Sequence, residues 1–157
     1  MHKTRNTPPK GKHPGYFEAI LQLRDIPMEI MDFVEDEIAT KKVYVSKIVE
    51  YKNGIDYYLA ENNFGKQLGK KLQQKFGGKV QITASLHTRK KDREVYRLTI
   101  LFRAASFTRG DLVDYKGEKY NVKAMGKEII LQNNNTGKKV HLNYKHLDKV
   151  QKVNDQE

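Results

Sequence analysis

Cysteine is absent from this 157-residue sequence, which excludes disulfides, thiol catalysis and thiolate zinc sites. Tryptophan is absent as well, so nine tyrosines and six phenylalanines must supply aromatic burial and any base stacking. Acidic charge is scarce: nineteen Asp and Glu stand against thirty Lys and Arg, a formal net charge of +11. Such an excess opposes compaction by self-repulsion and favours polyanionic partners or acidic membranes. Hydrophobic residues make up only 38% and charged residues 31%, the composition of a folded but heavily solvated chain. No apolar run approaches the ~18 residues of a membrane span, and no signal-peptide core is present. The expectation is a soluble cytoplasmic protein holding one ordinary domain or two small ones.

The most informative stretch runs from Lys79 to Arg103. Val80, Ile82, Ala84 and Leu86 alternate with Gln81, Thr83, Ser85 and His87. Tyr96, Leu98, Ile100 and Phe102 alternate in the same way with Arg97, Thr99, Leu101 and Arg103. Two period-two runs joined by a charged tip predict a long antiparallel hairpin with one apolar and one polar face. The tip carries Arg89, Lys90, Lys91 and Arg93 around the single acid Asp92. Fixed cations on a rigid finger suit a nucleic acid, because they replace its condensed counterions. Lys and Arg at a solvated hairpin end also discourage edge-to-edge aggregation, so the tip alone does not decide.

Residues 1–15 hold most of the prolines, several cations and no acid, and are expected to be a flexible basic arm. Order begins with the strand pattern YFEAILQLR at 16–24. Pro27 then opens a helix to about Thr40, with Asp25 as its expected N-cap and Ile30, Met31, Val34 and Ile38 as its buried stripe. Glu29, Asp32, Glu35, Asp36 and Glu37 make its solvent side anionic, and that face should point away from RNA. Runs at Val43–Tyr51 and Ile55–Ala60 flank an Asn53-Gly54 turn. A second helix, from about residue 61 or 62 to Phe76, repeats Phe64, Leu68, Leu72 and Phe76. Lys66, Lys70, Lys71 and Lys75 give it a basic flank, whose plainer reading is ordinary solvation.

The order to residue 104 is therefore β-α-β-β-α-β-β. It predicts an α+β ferredoxin-like βαββαβ-type domain over 16–105, with the second arm of the long hairpin as the added strand. Both helices would cover one sheet face, leaving Arg97, Thr99, Arg103, Gln81, Thr83 and Ser85 on the other. That open face lacks the paired aromatics of an RNA-recognition motif, so base stacking is not expected. After Ala104 the texture changes to short runs at 111–115, 119–125, 128–132, 138–142 and 148–153, with a helical turn expected at 143–147. This pattern predicts a small SH3-like β-barrel over 106–153, followed by a disordered tail at 154–157. So small a core would be marginal by itself.

No catalytic constellation accompanies this architecture. His2, His13, His87, His141 and His146 show no metal-helix spacing with one another or with carboxylates. The segment Gly65-Lys66-Gln67-Leu68-Gly69-Lys70 lacks the glycine spacing of a phosphate loop and falls inside a helix. Ser46, Ser85 and Ser106 have no elbow motif. A non-enzymatic protein without cofactor, metal or small-molecule substrate is expected.

YFEAILQLR, then GIDYYL ahead of a basic helix, then REVYRLTILFR, then FTRGDLV, resemble in their order the large ribosomal subunit export adaptor family (nonsense-mediated-decay protein three). The resemblance spans residues 16–150. It implies a factor on the joining face of the immature large subunit, near the exit tRNA site and its mobile stalk. It also implies a barrel like part of the hypusine-containing translation factor, preceded by a ribosomal-protein-like domain. Members of that family begin with a zinc region of paired Cys-x-x-Cys motifs, and eukaryotic ones carry a long C-terminal shuttling tail. Neither is found here, so the expectation is a short archaeal-type member or a piece lacking the zinc region.

The reading is thus a ribosome-associated factor that binds large-subunit rRNA during maturation or quality control, monomeric off the ribosome, with ribosomal proteins near the exit site as further partners. The residues expected to contact phosphate are Arg89, Lys90, Lys91 and Arg93 at the finger, Lys66, Lys70 and Lys71 on the second helix, Arg97 and Arg103 on the sheet, and Lys138, Lys139 and Lys145 on the barrel. The alternative is an interaction module whose barrel docks a peptide or ribosomal protein, charge serving only to steer encounter.

Overall fold

The computed structural model describes residues 6–90 and 93–153, with side chains left out over 88–95. The described chain is a mixed α+β protein with two five-stranded sheets. It divides into two compact units. One takes in the chain up to Lys71 and Val80–Arg103; the other takes in Leu72–Lys79 and the chain from Ala104 on.

In the first unit β1 (Ala19–Arg24) buries Ala19, Leu21 and Leu23, as its alternation requires. It is followed by α1 (Met28–Lys41), β2 (Val45–Tyr51), β3 (Gly54–Leu59), α2 (Asn62–Phe76), β4 (Gly78–Lys90) and β5 (Arg93–Ala104), of which the end of α2 and the start of β4, Leu72–Lys79, and Ala104 count with the second unit. The sheet order is β2-β3-β1-β5-β4, with β1 antiparallel to β3 and parallel to β5. The hairpin's second arm therefore lies beside β1, and its first arm forms the edge. Leu21 faces Ile100 and Leu23 faces Phe102 across the parallel pairing, and all four are fully buried. The outer arm is less covered: Ile82 is 39% and Leu86 53% exposed, with Tyr96 of β5 at 42%. The more buried apolar set takes the centre.

Both helices lie on the face that carries Leu21, Leu23, Tyr57 and Leu59. For α2 the approach is close, because a Cβ at Gly65 would meet Ile100 at 3.0 Å and Ala19 at 3.4 Å. One at Gly69 would meet Ile100 at 2.9 Å and Val80 at 3.4 Å. The two glycines, one helical turn apart, let the helix backbone settle onto the strands. Packing, not phosphate binding, accounts for that Gly-rich segment.

Helix α1 sits over β3 through Glu35, which is buried and accepts a hydrogen bond from the Tyr57 hydroxyl at 2.7 Å. Its expected place on the solvent side is therefore corrected, since a buried tyrosine hydroxyl needs an acceptor. The start of α1 differs too. Pro27 itself takes the cap position with no side-chain cap, while Asp25 adopts φ 55° and pairs with Arg103. At the other end Lys42 closes the helix in the left-handed region, its N–H donating to the Ala39 and Ile38 carbonyls. The Asn6 side chain also donates to the Val43 carbonyl at 2.6 Å, and the Tyr44 hydroxyl donates to the Pro14 carbonyl. Asn6 and Pro14 thus each take part in a defined hydrogen bond within the first unit.

The second unit holds β6 (Leu112–Tyr115), β7 (Glu118–Met125), β8 (Ile129–Asn133), β9 (Lys139–Leu142), a 3-10 turn (Tyr144–Lys149) and β10 (Val150–Lys152). Its antiparallel order is β10-β6-β7-β8-β9. Val113, Val122, Ile129 and Leu131 are the most buried members of its core, ringed by Tyr115, Tyr120 and Tyr144. The β6–β7 turn places Lys116 and Gly117 at φ 52° and 81°, the positive pair that matches strand twist in a two-residue hairpin. Asn133 closes the β8–β9 turn by accepting from the Asn135 and Thr136 backbone N–H groups. Asn143 starts the 3-10 turn by accepting from the Lys145 N–H.

Candidate nucleic-acid interface

A surface that binds phosphate by charge needs exposed cations that internal acids do not already hold. On α2, Lys66 and Lys70 are four residues apart, so they share one side of the helix, and both are exposed. Lys71 is also exposed, but its ammonium lies 2.6 Å from Glu37 of α1. The anionic flank of one helix thus meets the basic flank of the other. Lys66 and Lys70 are the better phosphate groups.

The sheet arginines are committed to partners. The Arg103 guanidinium pairs with Asp25. Arg97 stacks on the Phe17 ring at 3.9 Å from its centroid, and its Nε is buried without a hydrogen-bond partner. Phe17 in turn meets Tyr58 edge to face, centroids 4.9 Å apart, and Lys47 lies 5.3 Å over the Tyr58 ring. Beside this row Arg24 pairs with buried Asp56 at 2.8 Å and lies over Tyr51. The open face therefore does carry an aromatic pair, contrary to the expectation from alternation. Phe17 precedes β1 and so escaped the strand pattern, while the Tyr57-Tyr58 step in GIDYYL was the available signal: one tyrosine must point each way. The edge-to-face geometry holds cations in place rather than offering two parallel rings to bases.

In the second unit Lys138, Lys139 and Lys145 are all exposed. Lys145 belongs to a cluster that sequence spacing hid. Burial lowers the His146 imidazole from its ordinary value, and the Lys149, Lys145 and Lys116 charges act in the same direction. Lys116 comes from the β6–β7 turn and reaches this group only through the fold. By contrast, Lys119 pairs with Asp114 at 2.8 Å and Lys152 with Asp111 at 3.6 Å. The expected finger residues Arg89, Lys90, Lys91 and Arg93 lie outside the residues whose side chains are described; strands lead to Lys90 and resume at Arg93.

The hydroxyls of Tyr144 and Tyr57 are structural. Burial pushes Tyr144 up to about 12, and its hydroxyl donates to the Gly126 carbonyl. Burial and then the Glu35 hydrogen bond raise Tyr57 further still. Among the described residues no group of three or more His, Asp or Glu could hold a metal ion, and no helix is long and apolar enough to cross a membrane.

Comparison with known proteins gives one family. Residues 16–103, more than half of the chain, match NMD3 at its second domain. No curated protein matches the chain. The matched span runs from the start of YFEAILQLR to Arg103 in β5, and so takes in every strand of the first sheet. The chain belongs to the NMD3 family, which is linked to the export and biogenesis of ribosomal subunits.

Proposed function

We propose that this protein binds large-subunit rRNA through a discontinuous basic surface during subunit maturation or quality control, as a non-enzymatic, cytoplasmic monomer. The observation that carries the reading is a set of exposed cations: Lys66 and Lys70 on α2, and Lys116, Lys145 and Lys149 around His146. Lys138 and Lys139 belong to the second group's unit, and the reading also includes Arg89, Lys90, Lys91 and Arg93 on the strength of the sequence. Charges so placed contact phosphates and position the protein without reading sequence. Arg97, Arg103 and Lys71 act mainly as organisers of the surface, because Phe17, Asp25 and Glu37 already hold them.

We read the first unit as a ferredoxin-like domain with one strand added, in which β5 takes the place beside β1. The second we read as an SH3-like barrel, on the strength of five short antiparallel strands with a 3-10 turn ahead of the last. Co-sedimentation with separated ribosomal subunits tests the function. Association with the large subunit and not the small one is expected. Equal association with both, or none, would overturn it.

A further inference from the structure

A chain with a net charge of +11 has no cation at all between residues 26 and 40. That acidic stretch borders a recess of about 300 Å³ between the start of α1 and the β2–β3 hairpin. Pro27, Met28, Met31, Tyr51 and Ile55 give the recess apolar walls, and Glu50 stands in its lining. Met28 is 65% exposed and Tyr51 49%, an unusual outlay of large apolar side chains on so polar a protein. Glu29 and Asp32 follow the two methionines on the same helix, both exposed. Asp32 and Glu50 both lie within electrostatic reach of the Tyr57 hydroxyl.

Beside the recess runs β2, an outer strand of its sheet. An outer strand presents backbone N–H and C=O groups that an extended peptide can pair with. Methionine side chains adapt to different apolar shapes, a property suited to a surface that must accept a flexible segment. The acidic rim repels RNA phosphates, so this region cannot serve the surface proposed above.

We propose that the recess and the adjoining β2 edge dock a basic segment of another protein. An apolar side chain of that segment fills the space between Met28, Met31 and Tyr51. Its lysines or arginines meet Glu29, Asp32 and Glu50. Charge complementarity selects this occupant: Glu29, Asp32 and Glu50 are acidic, and the neighbouring cation, Arg24 over Tyr51, is held by Asp56, so an acidic or phosphorylated partner is disfavoured.

The test is fluorescence anisotropy with the full chain and a labelled, extended lysine-rich peptide carrying leucine anchors. The native protein should bind it about tenfold more tightly than the same peptide with serine for leucine. Met28→Ser, and separately the pair Glu29→Lys with Asp32→Lys, should each weaken binding by about tenfold or more. These residues are exposed, so circular-dichroism melting curves should be unchanged. Failure of the native protein to bind, equal binding of the serine peptide, or variants that bind like the native protein would each overturn the proposal. So would a native dimer in sedimentation equilibrium that Met28→Ser dissolves, since the recess would then belong to a second copy of this chain.

Discussion

The two helices cover the same sheet face, yet they meet it and the solvent in opposite ways. Helix α1 packs through branched side chains, Ile30, Val34 and Ile38, and spends a buried carboxylate on Tyr57. Helix α2 packs through Leu68 and through the absence of side chains at Gly65 and Gly69. Outward, α1 is acidic and α2 basic, and Glu37 with Lys71 forms the seam between them. Segregated charge on neighbouring elements underlies the two surfaces proposed above: α2 for polyanions, and the start of α1 for a basic protein segment.

The comparison breaks most visibly in packing. Leu68→Ala should cost ~2–5 kcal/mol in urea denaturation, because a fully buried leucine leaves a cavity between helix and sheet. Val34→Ala on α1 should cost less, since fewer buried carbons are removed. Gly69→Ala sharpens the contrast. Alanine would gain about 1 kcal/mol of helix propensity elsewhere. Here its Cβ would stand 2.9 Å from Ile100 Cγ2, so a net loss of ~1–3 kcal/mol is expected. A stabilised Gly69→Ala protein would show that α2 does not need its close approach.

Smaller effects follow at the polar contacts. Glu35→Leu should destabilise by ~1–3 kcal/mol, because the Tyr57 hydroxyl is left buried without that acceptor. Glu35→Gln, which keeps an acceptor, should recover most of the loss. Lys71→Ala should change stability by ~0–1 kcal/mol, as expected of an exposed ion pair. Thermal melts at low and high salt check this: the difference between Lys71→Ala and native protein should shrink as salt rises.

Much of this architecture was legible because period-two alternation states which side of a strand is covered. Val80 and Ile100 do face α2, as alternation required. The same pattern is silent about which strand is central, and so the hairpin's second arm, not its first, proved to lie beside β1. Helical periodicity placed Leu68 and Leu72 in the core but could not show that Gly65 and Gly69 are contact residues, since a glycine has no hydropathy to read. Glu35 looked solvated because its burial depends on a hydroxyl that β3 brings from over twenty residues away. The exposed cations of the proposed surface were legible as composition and, for Lys66 and Lys70, on α2. Lys116 joins Lys145 and Lys149 only through the β6–β7 turn, a proximity that no linear spacing encodes.

The most direct measurement is the salt dependence of binding to purified large-subunit rRNA. If about six phosphates are neutralised, log affinity should fall against log salt with a slope of about −4 to −5. Replacing Lys66 and Lys70 by alanine should reduce that slope by about 1.5, at ~0.7 to ~0.9 per contact. Glu29→Lys with Asp32→Lys should leave α2's contribution intact and binding at least as strong. A flat salt response, or loss of RNA binding in the α1 variant but not in the α2 variant, would contradict the assignment of α2 as the polyanion-binding helix.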